Sequence, residues 1–154
     1  MIFTGINDAK LDAKGRVFLP SDYRKQMAES DPRFMLRRDV YQPCLVIYPY
    51  ASWTAEIASL RARLNRWDSR QAMMYRQFLA GAELMTLDAA GRFLIPKRLL
   101  QECGINRSVR FMGIDDRIEV WAVEKAEQAF MNADEMAQAA QELLGGTAQP
   151  SAVI

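Results

Sequence analysis

"LDAKGRVFLP", Leu11 to Pro20, and "LDAAGRFLIP", Leu87 to Pro96, are one ten-residue phrase written twice, 76 residues apart. Six of the ten positions are identical: Leu, Asp, Ala, Gly, Arg and Pro. Three of the others exchange one apolar residue for another (Val17/Phe93, Phe18/Leu94, Leu19/Ile95), and only Lys14/Ala90 changes character. Asp at the head of a turn accepts a hydrogen bond from a backbone N–H two residues on, and Gly at its end takes the positive φ that closes it. Each phrase therefore predicts a β-hairpin, with Leu11 on one strand, Asp12 to Gly15 as the turn and Val17 to Leu19 on the return strand.

What surrounds the phrase repeats as well. After Pro20, "SDYRKQMA" predicts a short helix with Ser21 as N-cap and with Tyr23 and Met27 on one face. Phe34-Met35-Leu36 and "CLVIYP" (Cys44 to Pro49) then predict two strands. After Pro96, "KRLLQECG" predicts a helix closed by Gly104 at C′. "SVRFMGI" is a strand, Asp115-Asp116 a turn, and "RIEVWAV" a strand alternating Ile118, Val120 and Ala122 against polar neighbours. The chain is thus an internal duplication of a β-hairpin, helix, β-hairpin unit. Each copy holds about forty residues, too few to bury a core alone, so the copies are expected to interleave or to pack as pseudo-twofold partners.

Between the copies, Trp53, Ile57, Leu60, Leu64 and Trp67 form one apolar stripe at helical spacing, with Arg61, Arg63 and Arg66 elsewhere on the surface. Core packing is the first reading of this stripe and an oligomer interface the second. Asp68 or Ser69 caps a second helix through Met74, Tyr75 and Phe78 to Gly81. A third helix is expected from Glu124 to Leu144, amphipathic through Phe130, Ala133, Met136, Ala137, Ala140 and Leu144. "GGTAQPSAVI" reads as a flexible tail. The expected division is 1–52 and 82–123 for the two units, 53–81 for the helical connector, 124–144 for the last helix and 145–154 for the tail.

Composition narrows the chemistry. Among 154 residues there is no histidine, so Ser-His-Asp and Cys-His arrangements and His-ligated metals are unavailable. No phosphate-binding glycine loop occurs. Cys44 and Cys103 stand alone, without C-x-x-C spacing, and read first as two partly buried thiols, with a disulfide as the second reading. No enzyme activity, cofactor or metal is expected. Met1 leads into "IFTGINDAK" with no basic segment followed by an apolar one, which reads as cytoplasmic, and no apolar run suits a membrane. The net charge of +1 is unevenly placed. Residues 1–80 carry 13 Lys+Arg against 8 Asp+Glu, and residues 81–154 carry 7 against 11. A +5 half and a −4 half suit a molecule with one face toward a polyanion.

Taken singly, Asp12 and Arg16 read as a surface ion pair beside a turn, worth little to stability. Their duplication as Asp88 and Arg92 points instead to the direction of the arginine. A carboxylate can hold the guanidinium through one edge while its other N–H donors face outward, toward phosphate or the O6/N7 edge of guanine. A two-stranded ribbon fits the major groove of B-DNA.

At these residues the chain resembles the MraZ family. The likeness rests on the twin D-x-x-x-R motifs, the opening F-x-G (Phe3, Gly5), "CLVIYP" and "FMGIDDRIEVWA", and it covers roughly residues 1–144. The resemblance implies two tandem SpoVT-AbrB units, an α+β fold. In it the hairpin–helix–hairpin units form a pseudo-twofold swapped-hairpin (double-ψ-like, AbrB-type) β-barrel with peripheral helices. It also implies a regulator, acting as a repressor, that binds repeated promoter elements of double-stranded DNA in the division and cell-wall gene cluster. It would do so as a ring-like homo-oligomer, cytoplasmic and nucleoid-associated, without metal or nucleotide. Thr4 stands where the family often has an arginine, which removes one backbone contact.

The candidate DNA-binding residues are Asp12, Lys14, Arg16, Arg24 and Lys25, with Asp88 and Arg92 as the second-copy motif. Lys14 has Ala90 as its counterpart, and Arg24-Lys25 have Leu100-Gln101. Position by position, then, the first copy is expected to touch DNA and the second to serve assembly. The alternative is a cytoplasmic protein-binding adaptor or antitoxin-like module on the same fold. The two differ in salt dependence, steep for DNA binding and slight for protein binding through the Trp stripe.

Overall fold

The computed structural model describes residues 1–28 and 31–145. The expected tail, 145–154, lies outside the described residues except for Gly145. One compact unit runs from Met1 to Glu124 and a second begins at Lys125. The first is mixed α and β, with eight strands and four α-helices among its described residues: β1 (Ile6–Lys10), β2 (Arg16–Phe18), α1 (Ser21–Ala28), β3 (Phe34–Arg38), β4 (Leu45–Pro49), α2 (Tyr50–Arg63), α3 (Ser69–Ala80), β5 (Glu83–Met85), β6 (Arg92–Leu94), α4 (Lys97–Glu102), β7 (Ser108–Ile114) and β8 (Arg117–Ala122).

The two copies exchange strands. One antiparallel sheet has the order β1-β7-β8-β4-β3-β5, and β2 pairs with β6 in a separate two-stranded ribbon. The first strand of each copy therefore lies in register against a strand of the other, Ile6↔Met112 to Lys10↔Ser108 at one end and Phe34↔Met85 to Leu36↔Glu83 at the other. Asp8 and Arg110 face each other across the first of these pairings, with Arg110 Nε and Nη2 donating to the two carboxylate oxygens at 2.7 and 3.0 Å. Interleaving is thus the observed solution to the small-core problem. The hairpin expectation is corrected by it: the Asp12 to Gly15 turn forms, but β1 and β2 do not pair, because each finds a partner in the other copy. No closed barrel forms among the described residues, since the six-stranded sheet ends at β1 and β5 and the ribbon stands apart.

The main core draws on both copies. Val17, Leu19, Tyr23 and Met27 pack with Phe93, Ile95, Leu99 and Val109. Phe34 and Phe93 meet edge to face at 5.3 Å, and Phe3 meets Tyr23 at 5.6 Å. The Tyr23 hydroxyl donates to the Thr4 and Gly5 carbonyls at 3.2 and 3.1 Å. A second cluster gathers Val46, Tyr48, Trp53, Ile57 and Phe78, with Trp53 stacked on Phe78 at 5.4 Å. Cys44 and Cys103 are buried free thiols, and burial pushes the Cys44 thiol up.

Local expectations divide. Gly104 closes α4 with φ +63, and Ile105 N–H and Gly104 N–H reach back to the Leu100 and Gln101 carbonyls at 2.9 and 3.2 Å, a Schellman closure. Asp68 caps α3 through the Gln71 N–H. Ser21, expected as an N-cap, is already helical, and the first-turn N–H of Arg24 reaches the Pro20 carbonyl at 3.0 Å. The apolar stripe holds for Trp53, Ile57 and Leu60 but not for Trp67, which is 85 % exposed. Helix α2 stops at Arg63 because Asn65 and Asp68 capture the following backbone: Trp67 N–H donates to Asn65 Oδ1 at 3.0 Å and Gln71 N–H to Asp68 Oδ2 at 3.0 Å.

The expected helix 124–144 is two pieces. A 3₁₀ segment covers Val123–Ala129, and α5 covers Ala133–Leu143. Asn132 starts α5 with a reciprocal capping box to Glu135. No residue of α5 is buried, and Met136, Leu143 and Leu144 are exposed.

Candidate nucleic-acid interface

The ribbon brings the two motifs together. Its register is Arg16↔Leu94, Val17↔Phe93 and Phe18↔Arg92. Leu19 N–H donates to the Gly91 carbonyl at 3.1 Å, and Ile95 N–H to the Gly15 carbonyl at 3.0 Å, which extends the pairing into both turns. Period-two alternation turns Val17 and Phe93 into the core and leaves Arg16, Phe18, Arg92 and Leu94 on the other face. Phe18 and Leu94 are about half exposed there, and the Arg92 guanidinium lies 5.8 Å from the centre of the Phe18 ring. In the sequence Phe18 and Leu94 read as strand-forming apolar residues. The signal that they share the arginines' face was the alternation itself.

Both turns follow one plan. Asp12 Oδ1 accepts the Lys14 and Arg16 N–H groups at 3.0 and 2.9 Å, and Oδ2 accepts Arg16 Nε at 2.7 Å. Asp88 Oδ1 accepts the Ala90 and Arg92 N–H groups at 3.0 and 2.9 Å, and Oδ2 accepts Arg92 Nε at 3.0 Å. The N–H of Asp12 and of Asp88 donates to the carbonyl of its own arginine at 2.9 and 2.8 Å, and Gly15 and Gly91 N–H reach back to the Asp12 and Asp88 carbonyls. Gly15 and Gly91 take φ of +89 and +91, a region closed to most side chains. Each arginine is gripped through Nε alone by its own aspartate, so its terminal amino groups point onward. The Arg92 Nη1 also lies 4.0 Å from Asp12 Oδ2, which links the two motifs in one charge network. Hydrogen bonds from their own arginines, the backbone N–H first, hold both carboxyls below the ordinary aspartate range.

The remaining candidates fall in different places. Lys14 is exposed on the first turn and Lys25 is exposed on α1. Arg24 crosses to the other copy, where its Nη1 donates to the Ala90 carbonyl at 3.4 Å. Its counterpart Leu100 packs near the first turn, so that a Cβ added at Gly15 would lie 3.5 Å from Leu100 Cδ1. Each copy's helix thus rests on the other copy's turn. The cation that Ala90 lacks is supplied to the second turn by Arg24. Among the described residues no group of three His, Cys, Asp or Glu could hold a metal ion. No helix among them is long and apolar enough to cross a membrane.

Comparison with known proteins finds similarity over nearly the whole chain. A family model described as "MraZ protein" and "antitoxin-like" matches residues 2–76 and 78–145. A protein of Bacteroides thetaiotaomicron named "Transcriptional regulator MraZ" is 48 % identical over 143 residues, covering 92 % of each chain. One of the same name from Bacteroides fragilis is 46 % identical over 92 % of this chain and 90 % of its own. Another from Azotobacter vinelandii is 34 % identical over 86 % of this chain and 87 % of its own. The shared name is that of a regulator and specifies no enzymatic reaction.

Proposed function

The chain belongs to the MraZ family, and from that premise we propose that it regulates transcription by binding double-stranded DNA through the β2–β6 ribbon. One observation carries this reading: two D-x-x-x-R motifs, 76 residues apart in sequence, share one exposed ribbon, each with its guanidinium aimed by its own carboxylate. An antiparallel ribbon has the width to enter a major groove of about 12 Å. There Arg16 and Arg92 suit the O6/N7 edge of guanine, and Phe18 and Leu94 suit the methyl of thymine. The exposed Lys14 suits a phosphate, a contact that positions without reading sequence.

One ribbon offers few contacts. The protein therefore acts as a ring-like homo-oligomer on repeated promoter elements, where linked sites raise affinity through effective concentration. In this reading it is cytoplasmic and nucleoid-associated, and it represses its target cluster. Footprinting of the purified protein on DNA upstream of its own gene tests the proposal, with protection of spaced repeats as the expected result. Lys14→Ala weakens binding to all sequences alike and lowers the log–log salt slope by about 0.9. Protein binding, the adaptor or antitoxin-like alternative, predicts no footprint and little salt dependence.

A further inference from the structure

The charge excess of the first half does not reside on the repeated motif. Residues 1–56 carry eight Lys+Arg and seven Asp+Glu, whereas residues 57–80 carry five arginines, no lysine and one acid, Asp68. Four of the five excess charges therefore belong to the helical hairpin of α2 and α3. Arg61 and Arg63 end α2, Arg66 lies in the connecting loop, and Arg70 and Arg76 lie on α3. All five are exposed. The single acid is already engaged, because Asp68 Oδ2 caps α3. No described carboxylate comes within 4.0 Å of any of the five, whereas Arg16, Arg33, Arg92, Arg98, Arg110 and Arg117 each have such a partner.

Folding does not account for this cluster. Arg61 and Arg63 complement the C-terminal end of the α2 dipole, but Arg70 stands in the first turn of α3, at the end that favours anions. The loop also exposes an aromatic: Trp67 is 85 % exposed, with the Arg66 guanidinium 5.5 Å from its ring centre. Beside them a cavity of about 450 Å³ opens, lined by Arg61, Arg66, Trp67 and Tyr75 among others. A concave seat flanked by two guanidinium forks, Arg61 and Arg66, with three more exposed arginines on the same hairpin, matches the oxygens of a phosphodiester backbone.

We propose that the tip of the α2–α3 hairpin is a second DNA contact, one that grips the phosphate backbone without reading bases. The inference rests on the ribbon reading, since it takes its polyanion to be the duplex that the ribbon engages. In this arrangement the ribbon supplies the sequence preference and the helical tip supplies most of the salt-dependent attraction.

The test combines Arg61→Gln, Arg63→Gln, Arg66→Gln and Arg70→Gln in the full chain, with circular dichroism to verify the fold. Binding is titrated against salt on upstream duplex and on random-sequence duplex, beside Arg16→Ala and Arg92→Ala. The expected result is a log–log slope smaller by about 0.9 for each phosphate no longer neutralised, equally on both duplexes. Wild-type Trp67 emission should also be quenched by duplex, a response missing in Trp67→Phe. An unchanged slope in the fourfold variant, with binding lost in the ribbon variants, overturns the helical contact and leaves the ribbon reading standing. Normal binding by the ribbon variants with a reduced slope in the fourfold variant does the reverse. Absence of duplex binding by the wild type overturns both. A variant that changes only the mass by light scattering, or only co-sedimentation with phosphatidylglycerol vesicles, assigns the patch to a second copy or to a lipid surface and overturns the proposal.

Discussion

The first and second turns share one hydrogen-bond plan but lean on different neighbours. Leu100, from the second copy's helix, packs at Gly15, whereas Arg24, from the first copy's helix, lies across Gly91. In a position-by-position comparison the first copy owns Lys14, Arg24 and Lys25 and the second owns none of their counterparts. In space the crossing of the helices returns one cation to each turn, Lys14 to the first and Arg24 to the second. A charge counted along the chain is not yet a charge assigned to a surface. The charge count along the chain therefore does not by itself divide the molecule into a DNA-touching copy and an assembly copy, and we propose that the two arginines act as equals on one ribbon.

The largest expected effect tests that equality. Arg16→Ala and Arg92→Ala should each weaken target binding by about 1–3 kcal/mol per contacting subunit, with oligomer mass unchanged by light scattering. Comparable losses uphold one shared ribbon. Normal affinity with altered mass in Arg92→Ala alone would restore the division by copies.

A smaller effect separates the two glycines. Alanine at either position must adopt positive φ, a cost of roughly 1–2 kcal/mol in folding stability. At Gly91 the added Cβ would also collide with Arg24 Nη1, whereas at Gly15 its nearest neighbours are at 3.5 Å. Gly91→Ala should therefore unfold at lower denaturant than Gly15→Ala, and Arg24→Ala in the same chain should remove the difference. Equal midpoints in the single variants would mean that Arg24 swings aside freely and is no fixture of the second turn.

The aspartates make the finest distinction. Asn at either site keeps an oxygen for the two backbone N–H groups but turns an amide toward Arg Nε, so the turn survives and the arginine is released. Asp12→Asn should weaken binding more than Asp88→Asn, because only Asp12 also faces the second arginine, at 4.0 Å. Both carboxyls are held below the ordinary aspartate range by hydrogen bonds from their own arginines, so the stabilisation these pairs add is present above that range. It is lost as pH falls through the lower folded values. Carbon-detected NMR titration should find both midpoints below that of an unpaired aspartate, and equal midpoints for Asp12, Asp88 and an unpaired aspartate would remove the proposed grip.

Legibility in the sequence followed the range of the physics involved. Turn chemistry is local, and Asp12, Gly15, Asp88, Gly91 and Gly104 all act as their residue types predict. The partner of a strand is not local. "RVF" and "RFL" announce strands with one buried face, but nothing in three residues says that they pair with each other rather than with the strand before the turn. Helix ends depart from expectation where a polar side chain outcompetes an apolar stripe. Asn65 stops α2 short of Trp67, and Asn132 with Glu135 restarts the chain as α5. The Asn-x-x-Glu spacing at 132–135 was there to be seen. The crossing of Arg24 onto the second turn was not, because it follows only from the strand exchange.

That exchange also sets a timetable. Asp8 and Arg110, joined across β1 and β7, are separated by 102 residues. At translation rates of roughly 5–20 residues per second, β1 emerges roughly 5–20 s before its partner strand has been made. The outer edge of β3 likewise waits for β5. For that interval the nascent first half carries open strand edges, the kind of surface on which neighbouring chains aggregate. Asp8 and Lys10 put charge of both signs on β1, the kind of side chain that discourages pairing with a neighbouring chain.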